Sequence, residues 1–246
     1  MYDQAFRARA LDLVAAGRSR NSVARELGIS WSALNSWLLD PRGAESGSRG
    51  CPAPPSASGT YAALLGFYLG DGHISVFPRH AAMRISCDAR YPGIIADVDR
   101  LVRVTNPHRP SHHVRAPGCI VVQSNWKHWP CLFPQHGPGR KHERRLRLEA
   151  WQRTIVDTYP ADFLRGLFHS DGSLVRNWAT RLVQGEKKRY DYPRWQFVNE
   201  SRDIMRWCGE ALDLVQIRWR QTTPRVLSVS RREDVARLTE LIGVKS

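Results

Sequence analysis

Residues 61–75 read YAALLGFYLGDGHIS, and residues 162–175 read DFLRGLFHSDGSLV. Both contain L-x-G-x-x-x-x-D-G, at Leu64, Gly66, Asp71 and Gly72 and again at Leu164, Gly166, Asp171 and Gly172. In a helix, positions four apart share a face. Gly66 and Gly70 therefore make a stripe of small residues, which Gly166 and Ser170 repeat. Such stripes let two helix backbones pack very closely; the effect is steric, although it is best known from membrane helices. The spacing predicts two helices side by side with Gly66 and Gly166 at their interface. Asp71 and Asp171 then arrive at the same edge, each followed by a glycine suited to a left-handed cap. Each carboxylate would stand at the negative end of a helix dipole and face a like charge. A divalent cation resolves that conflict, and hard oxygen donors suit Mg²⁺. A lone Asp-Gly would be an ordinary cap and turn; two in matched context point to a cation-binding pair.

The surroundings repeat as well. A hairpin-like stretch follows each motif, at about 73–88 and 173–200. Helix-like segments come next, PGIIADVDRLVRV and RDIMRWCGEALDLV, followed by paired strands at HHVRA with CIVVQS and at IRWRQ with RVLSVS. A final helix is expected near Trp126 and near Glu233. The fold class is thus α+β, with two pseudo-symmetric αββαββα halves at about 60–150 and 151–246, joined through GPGRKHERRLRLEAWQR.

Residues 41–59, PRGAESGSRGCPAPPSASG, carry no periodic apolar pattern and read as a flexible linker. Ahead of it, residues 1–40 read as a small all-α domain. Phe6, Ala10, Leu13 and Val14 form one stripe, with Gly17 as a cap. SVARELGISWSALNSWLL then resembles a helix-turn-helix, with Gly28 at the turn and Ser30 capping the second helix. Trp31, Ser32, Asn35 and Ser36 would be its exposed face toward a major groove. A helical hairpin used for protein contact remains the alternative.

The chain has 246 residues and a formal charge of +14, with 37 Lys+Arg against 23 Asp+Glu. Such a field attracts a polyanion, nucleic acid first among them. The first 40 residues carry +1 and the linker another +1, which leaves +12 on residues 60–246. Only five cations are Lys; the rest are Arg, which bonds phosphate and guanine edges bidentately. A GC-rich coding sequence would also favour Arg, and both causes contribute. Arg218 and Arg220 alternate with Trp219 and should share a strand face. Arg109, His112, Arg115, Arg176, Arg181, Lys187, Lys188 and Arg189 lie on expected strands or hairpins, where a solvated polar face is the plain alternative. Trp126, Trp129, Trp151, Trp195 and Trp207 are expected in the core. The five cysteines form no C-x-x-C pair and no secretory segment opens the chain, so reduced thiols in a cytoplasmic protein are expected. Cys119, Cys131, His136 and His142 match no standard zinc spacing. No apolar run is long enough to span a membrane.

LLGFYLGDG and LRGLFHSDG resemble the two signature helices of the LAGLIDADG homing-endonuclease family, and the likeness covers about residues 60–246 in order of elements too. The resemblance implies a single-chain, monomeric form whose curved sheets make a saddle over double-stranded DNA. It implies catalysis at Asp71 and Asp171, with Mg²⁺ or another divalent cation held by Asp71, Asp171, Gly70 and Ser170. Basic residues where the last strand meets the final helix are also implied, matched by Lys127 and by Arg231 with Arg232 beside it. Asn199 and Cys87 are the candidates for a water-organising residue. An N-terminal helix-turn-helix and the absence of protein-splicing signals depart from the family's usual form. A regulator lineage combines such a domain with a helix-turn-helix and acts in transcription without cutting, though in the reverse domain order and with the acids often lost. Three readings follow: a site-specific, metal-dependent DNA endonuclease, nucleoid-associated in the cytoplasm; a non-cleaving DNA-binding regulator; and, with the least support, an RNA-binding splicing cofactor.

Overall fold

The computed structural model describes residues 4–39, 51–53, 55, 58–107 and 109–246; most of the expected linker and the side chain of Ser36 lie outside them. Met1–Pro52 and Ala53–Ser246 are separate compact units.

In the smaller unit, α1 (Gln4–Ala15), α2 (Arg20–Glu26) and α3 (Trp31–Leu39) enclose Ala10, Val23, Ala24, Ile29, Leu34 and Trp37. Ser19 and Ser30 cap α2 and α3 by accepting the amides of Ser22 and Ala33. Gly28 (φ 63°) turns the chain between them. Trp31 is half exposed at the start of α3, and Asn35 accepts a bond from Arg20 (3.0 Å).

The larger unit is built twice. Helix α4 (Gly59–Asp71) leads into β1 (Gly72–Val76) and β2 (Ala81–Asp88), then α5 (Pro92–Thr105), β3 (Ser111–Ala116) and β4 (Cys119–Asn125). Helix α8 (Pro160–Asp171) leads into β5 (Gly172–Val183) and β6 (Glu186–Val198), then α9 (Arg202–Leu214), β7 (Arg220–Thr223), β8 (Val226–Val229) and α10 (Arg232–Ile242). The sheets have the same order, β1-β2-β4-β3 and β5-β6-β8-β7, and are antiparallel throughout. The halves diverge at their ends. The first half's final helix is a single turn, α6 (Trp129–Leu132), because Pro134 and then Gly137, Pro138 and Gly139 cannot continue a helix. The joining stretch, in turn, contains an unforeseen helix, α7 (Ala150–Thr158).

Helices α4 and α8 form the centre of one continuous core. A side chain on Gly66 would stand 2.5 Å from the carbonyl oxygen of Phe163, and one on Gly166 would overlap the Ala63 carbonyl. The backbones therefore touch where the sequence places two glycines. Trp129, Trp195 and Trp207 are fully buried, with Trp126 and Trp151 packed against the same core. Cys87, Cys119 and Cys208 are free thiols.

Candidate active site and nucleic-acid interface

Asp71 and Asp171 end α4 and α8 at the same edge of the helix pair, where the carboxylate of Asp171 comes within 3.0 Å of where a side chain on Gly70 would begin. The expected left-handed caps are not present. Gly72 (φ −89°) and Gly172 (φ −90°) are already extended and start their strands. They must be glycine for a different reason: a Cβ at either would lie 2.5 Å from the backbone of the last helical turn, at Tyr68 or Phe168. Helix thus passes into strand without a loop, which fixes both acids to the frame of the sheets.

Asp71 borders a cavity of about 680 Å³ that also meets Asp171, Asn199, His73, Lys141 and Arg144. A second cavity of about 480 Å³, on the Cys87 and Lys245 side, meets Asp71 again. The surrounding protein pushes the Asp71 carboxyl up to about 6, and the charge of Asp171 adds to this. Water still reaches Asp71 at the rim. Burial also raises Asp171, opposed by a 2.7 Å hydrogen bond donated by the Asn199 side-chain amide. Asn199 lies two residues beyond the strand partner of Gly172, and Cys87 lies two beyond the partner of Gly72. These positions correspond, but their chemistry differs. Asn199 orients Asp171, whereas the buried Cys87 thiol, pushed up to about 12 by burial, makes only a weak contact with the Ile85 carbonyl.

Two cations sit at the helix ends, and neither is one of those expected. The ammonium of Lys141 donates to the carbonyls of Tyr68, Leu69 (2.8 Å) and Gly70 (3.1 Å). That of Lys245 donates to the Ser170 carbonyl (3.3 Å). Burial pulls Lys141 down to about 8 and lowers Lys245, while both aspartates hold them up. Lys127 is exposed in the turn after β4, and Arg231 is exposed at the N-terminus of α10; neither borders the two cavities at the aspartates. Sequence reading missed Lys141 and Lys245, although the rarity of Lys in so Arg-rich a chain was an available signal.

The donors at the helix ends are two carboxylates and the carbonyls of Gly70 and Ser170, all hard oxygens of the kind Mg²⁺ takes. Among the described residues no group of three or more His, Cys, Asp or Glu side chains gathers, at Cys119 and His136 or elsewhere. A cation here would therefore rest on the two acids, backbone oxygens and water.

The sheets sort the expected DNA-contacting residues by face, because directly paired residues lie on the same side. In the second sheet the core side carries Trp195 opposite Leu174, and by alternation Arg176, Trp178, Lys187 and Arg189. Arg189 is held there by Asp191 (2.9 Å) and lies over the Trp178 ring. The opposite side carries Arg181 directly across from Lys188, then Tyr192 and Arg194, and Arg220 through its pairing with Ser228 and Gln196. In the first sheet His112, Arg84, Gln123 and His73 share the side away from the core. His113 faces the other way, onto Asp99 of α5, and Arg115 follows it by alternation. Arg109 is exposed in the turn before β3. Arg218 does not share a strand face with Arg220. It precedes β7 and is bound by Glu233 and by Asp234 (2.8 Å), the acids of the first turn of α10.

No family model and no curated protein matches the chain. Among solved structures, the N-terminal LAGLIDADG domain of DUF199/WhiA aligns at 16% identity and a TM-score of 0.47, over 77% of this chain and 85% of that one. The homing endonuclease I-DmoI in complex with DNA and Ca aligns at 14% and 0.48, over 76% and 91%. The LAGLIDADG meganuclease I-AabMI bound to uncleaved DNA aligns at 12% and 0.45, over 74% and 82%.

Proposed function

We propose that the chain is a sequence-specific, double-stranded DNA-binding protein that cleaves phosphodiester bonds at Asp71 and Asp171 with a divalent cation, Mg²⁺ by the nature of its donors. The observation that carries this reading is the convergence of two acids from two halves of the same topology on one edge of a close-packed helix pair. A helix cap needs one acid and no partner; a two-strand cut needs one acid for each strand. The sheets add Arg84, His112, Arg181, Lys188, Arg194 and Arg220 on their open faces, suited to phosphates and base edges.

In this reading the glycine contact sets the separation of the acids, and Asn199 holds Asp171 in one orientation. The cation supplies Lewis acidity and charge neutralisation to the hydrolysis. The smaller unit, with Trp31, Ser32 and Asn35 at the start of α3, adds a helix-turn-helix contact to DNA. The chain acts as a monomer, since its two halves already provide two-fold symmetry.

A non-cleaving regulator is the second reading, and one observation favours it: lysines already stand at both helix ends. The test is a selection of genomic fragments by the purified protein in Mg²⁺, sequencing enriched sites and new ends. We expect discrete sites with clean ends. Asp71→Asn and Asp171→Asn should each abolish the cut on the bound sites while leaving affinity within about twofold. Intact enriched sites would establish the regulator, and failure to enrich duplex DNA would overturn both.

A further inference from the structure

Lys141 and Lys245 occupy corresponding places. Each follows the terminal helix of its half, α6 or α10, and each returns to the carboxyl end of that half's own signature helix. Lys141 serves α4 and lies 4.9 Å from the Tyr68 ring centre; Lys245 serves α8 and lies 5.9 Å from that of Tyr91. The three donors of the Lys141 ammonium meet three successive carbonyls of one helix turn.

The carbonyls they engage include those of Gly70 and Ser170. These are the backbone oxygens immediately before the two acids, and a divalent ion at the carboxylate pair would draw on them. Two positive charges already balance two negative ones. An added divalent ion must share those carbonyls with the ammonium groups or displace them, and like charges drawn to one pair of carboxylates repel one another.

We propose that Lys141 and Lys245 are built-in counter-cations of the Asp71–Asp171 pair, so that a divalent ion enters the DNA-free protein only in competition with them. This rests on reading the acid pair as a cation site. It goes beyond that reading by assigning the competitor.

The test is titration of the full chain, without DNA, with Mn²⁺ followed by the electron paramagnetic resonance of the free ion. Lys245→Met and Lys141→Met should each bind Mn²⁺ roughly tenfold more tightly than the unaltered protein. Lys245→Arg should retain the weak affinity, because it keeps the charge. Lys245 is only partly buried near the chain's last residue, so its variants report even if Lys141→Met does not fold. Adding Asp71→Asn to Lys245→Met should remove the gain. Equal affinity of Lys245→Met and the unaltered chain, a gain that survives Asp71→Asn, or no Mn²⁺ uptake by any form would overturn the proposal. Duplex binding, measured separately without metal, would still judge the DNA reading by itself.

Discussion

At Gly166 a single methyl group would meet the Ala63 carbonyl, and at Gly66 the mirror-image clash would occur with Phe163. Neither helix can move aside, because Leu64, Leu65, Phe67, Phe163, Leu164, Leu167 and Phe168 are all fully buried around the contact. Gly166→Ala should therefore cost about 3 kcal/mol, at the upper end for overpacking, and lower the melting temperature by roughly 6–12 °C in a thermal denaturation. Asp71 makes the second prediction at this scale. Its folded value of about 6 lies above the usual 3.8, so the folded state holds the proton more tightly than the unfolded chain does. The cost of an ionised Asp71 is present above about pH 6 and is relieved as pH falls through 6 toward 4. Cation binding runs the other way, because it needs the carboxylate. Mn²⁺ uptake should weaken between pH 7 and pH 5, with the midpoint near 6, and Asp71→Asn should remove that step.

Among the elements, the β5–β6 hairpin differs most from its counterpart. Its strands run 12 and 13 residues, against 5 and 8 for β1 and β2, and β8 pairs only with Trp195–Val198. Beyond Trp195 it continues as a two-stranded ribbon, a shape that fits a major groove. Its alternation separates the cations that the sequence grouped together. Arg181 and Lys188 project from the open face; Arg176 and Arg189 are turned to the other side and shared with Asp191. Replacing Arg181 and Lys188 with Ala should weaken duplex binding and reduce the slope of log affinity against log salt by about 2, read by fluorescence anisotropy. Arg218→Ala should leave both quantities nearly unchanged, since its guanidinium is engaged by Glu233 and Asp234. A strand reading from Ile217 placed Arg218 and Arg220 together; the strand starts at Arg220, because the acids at the head of α10 take up Arg218 first.

For the whole molecule, the +12 on residues 60–246 predicts strong salt dependence. With six or more phosphates neutralised, affinity for a selected duplex should fall about 10³-fold between 50 and 200 mM salt, and a flat response in the same anisotropy assay would exclude a saddle-like electrostatic grip. The two-half architecture, the helix pair and the position of its acids were legible in the sequence, since they rest on local rules: a repeat, a small-residue stripe and the periods of helix and strand. The site's cations were not. Lys141 and Lys245 reach Gly70 and Ser170 from 71 and 75 residues away, so only the folded chain shows which ammonium meets which helix end. The reason for Gly72 was likewise hidden, because the clash that forbids a side chain there is with its own preceding turn, folded back at the start of the strand. Sequence determined what the helices are and that they pair; tertiary structure decided which charges face the pair, because charge contacts follow distance in space while the patterns in a sequence follow distance along the chain.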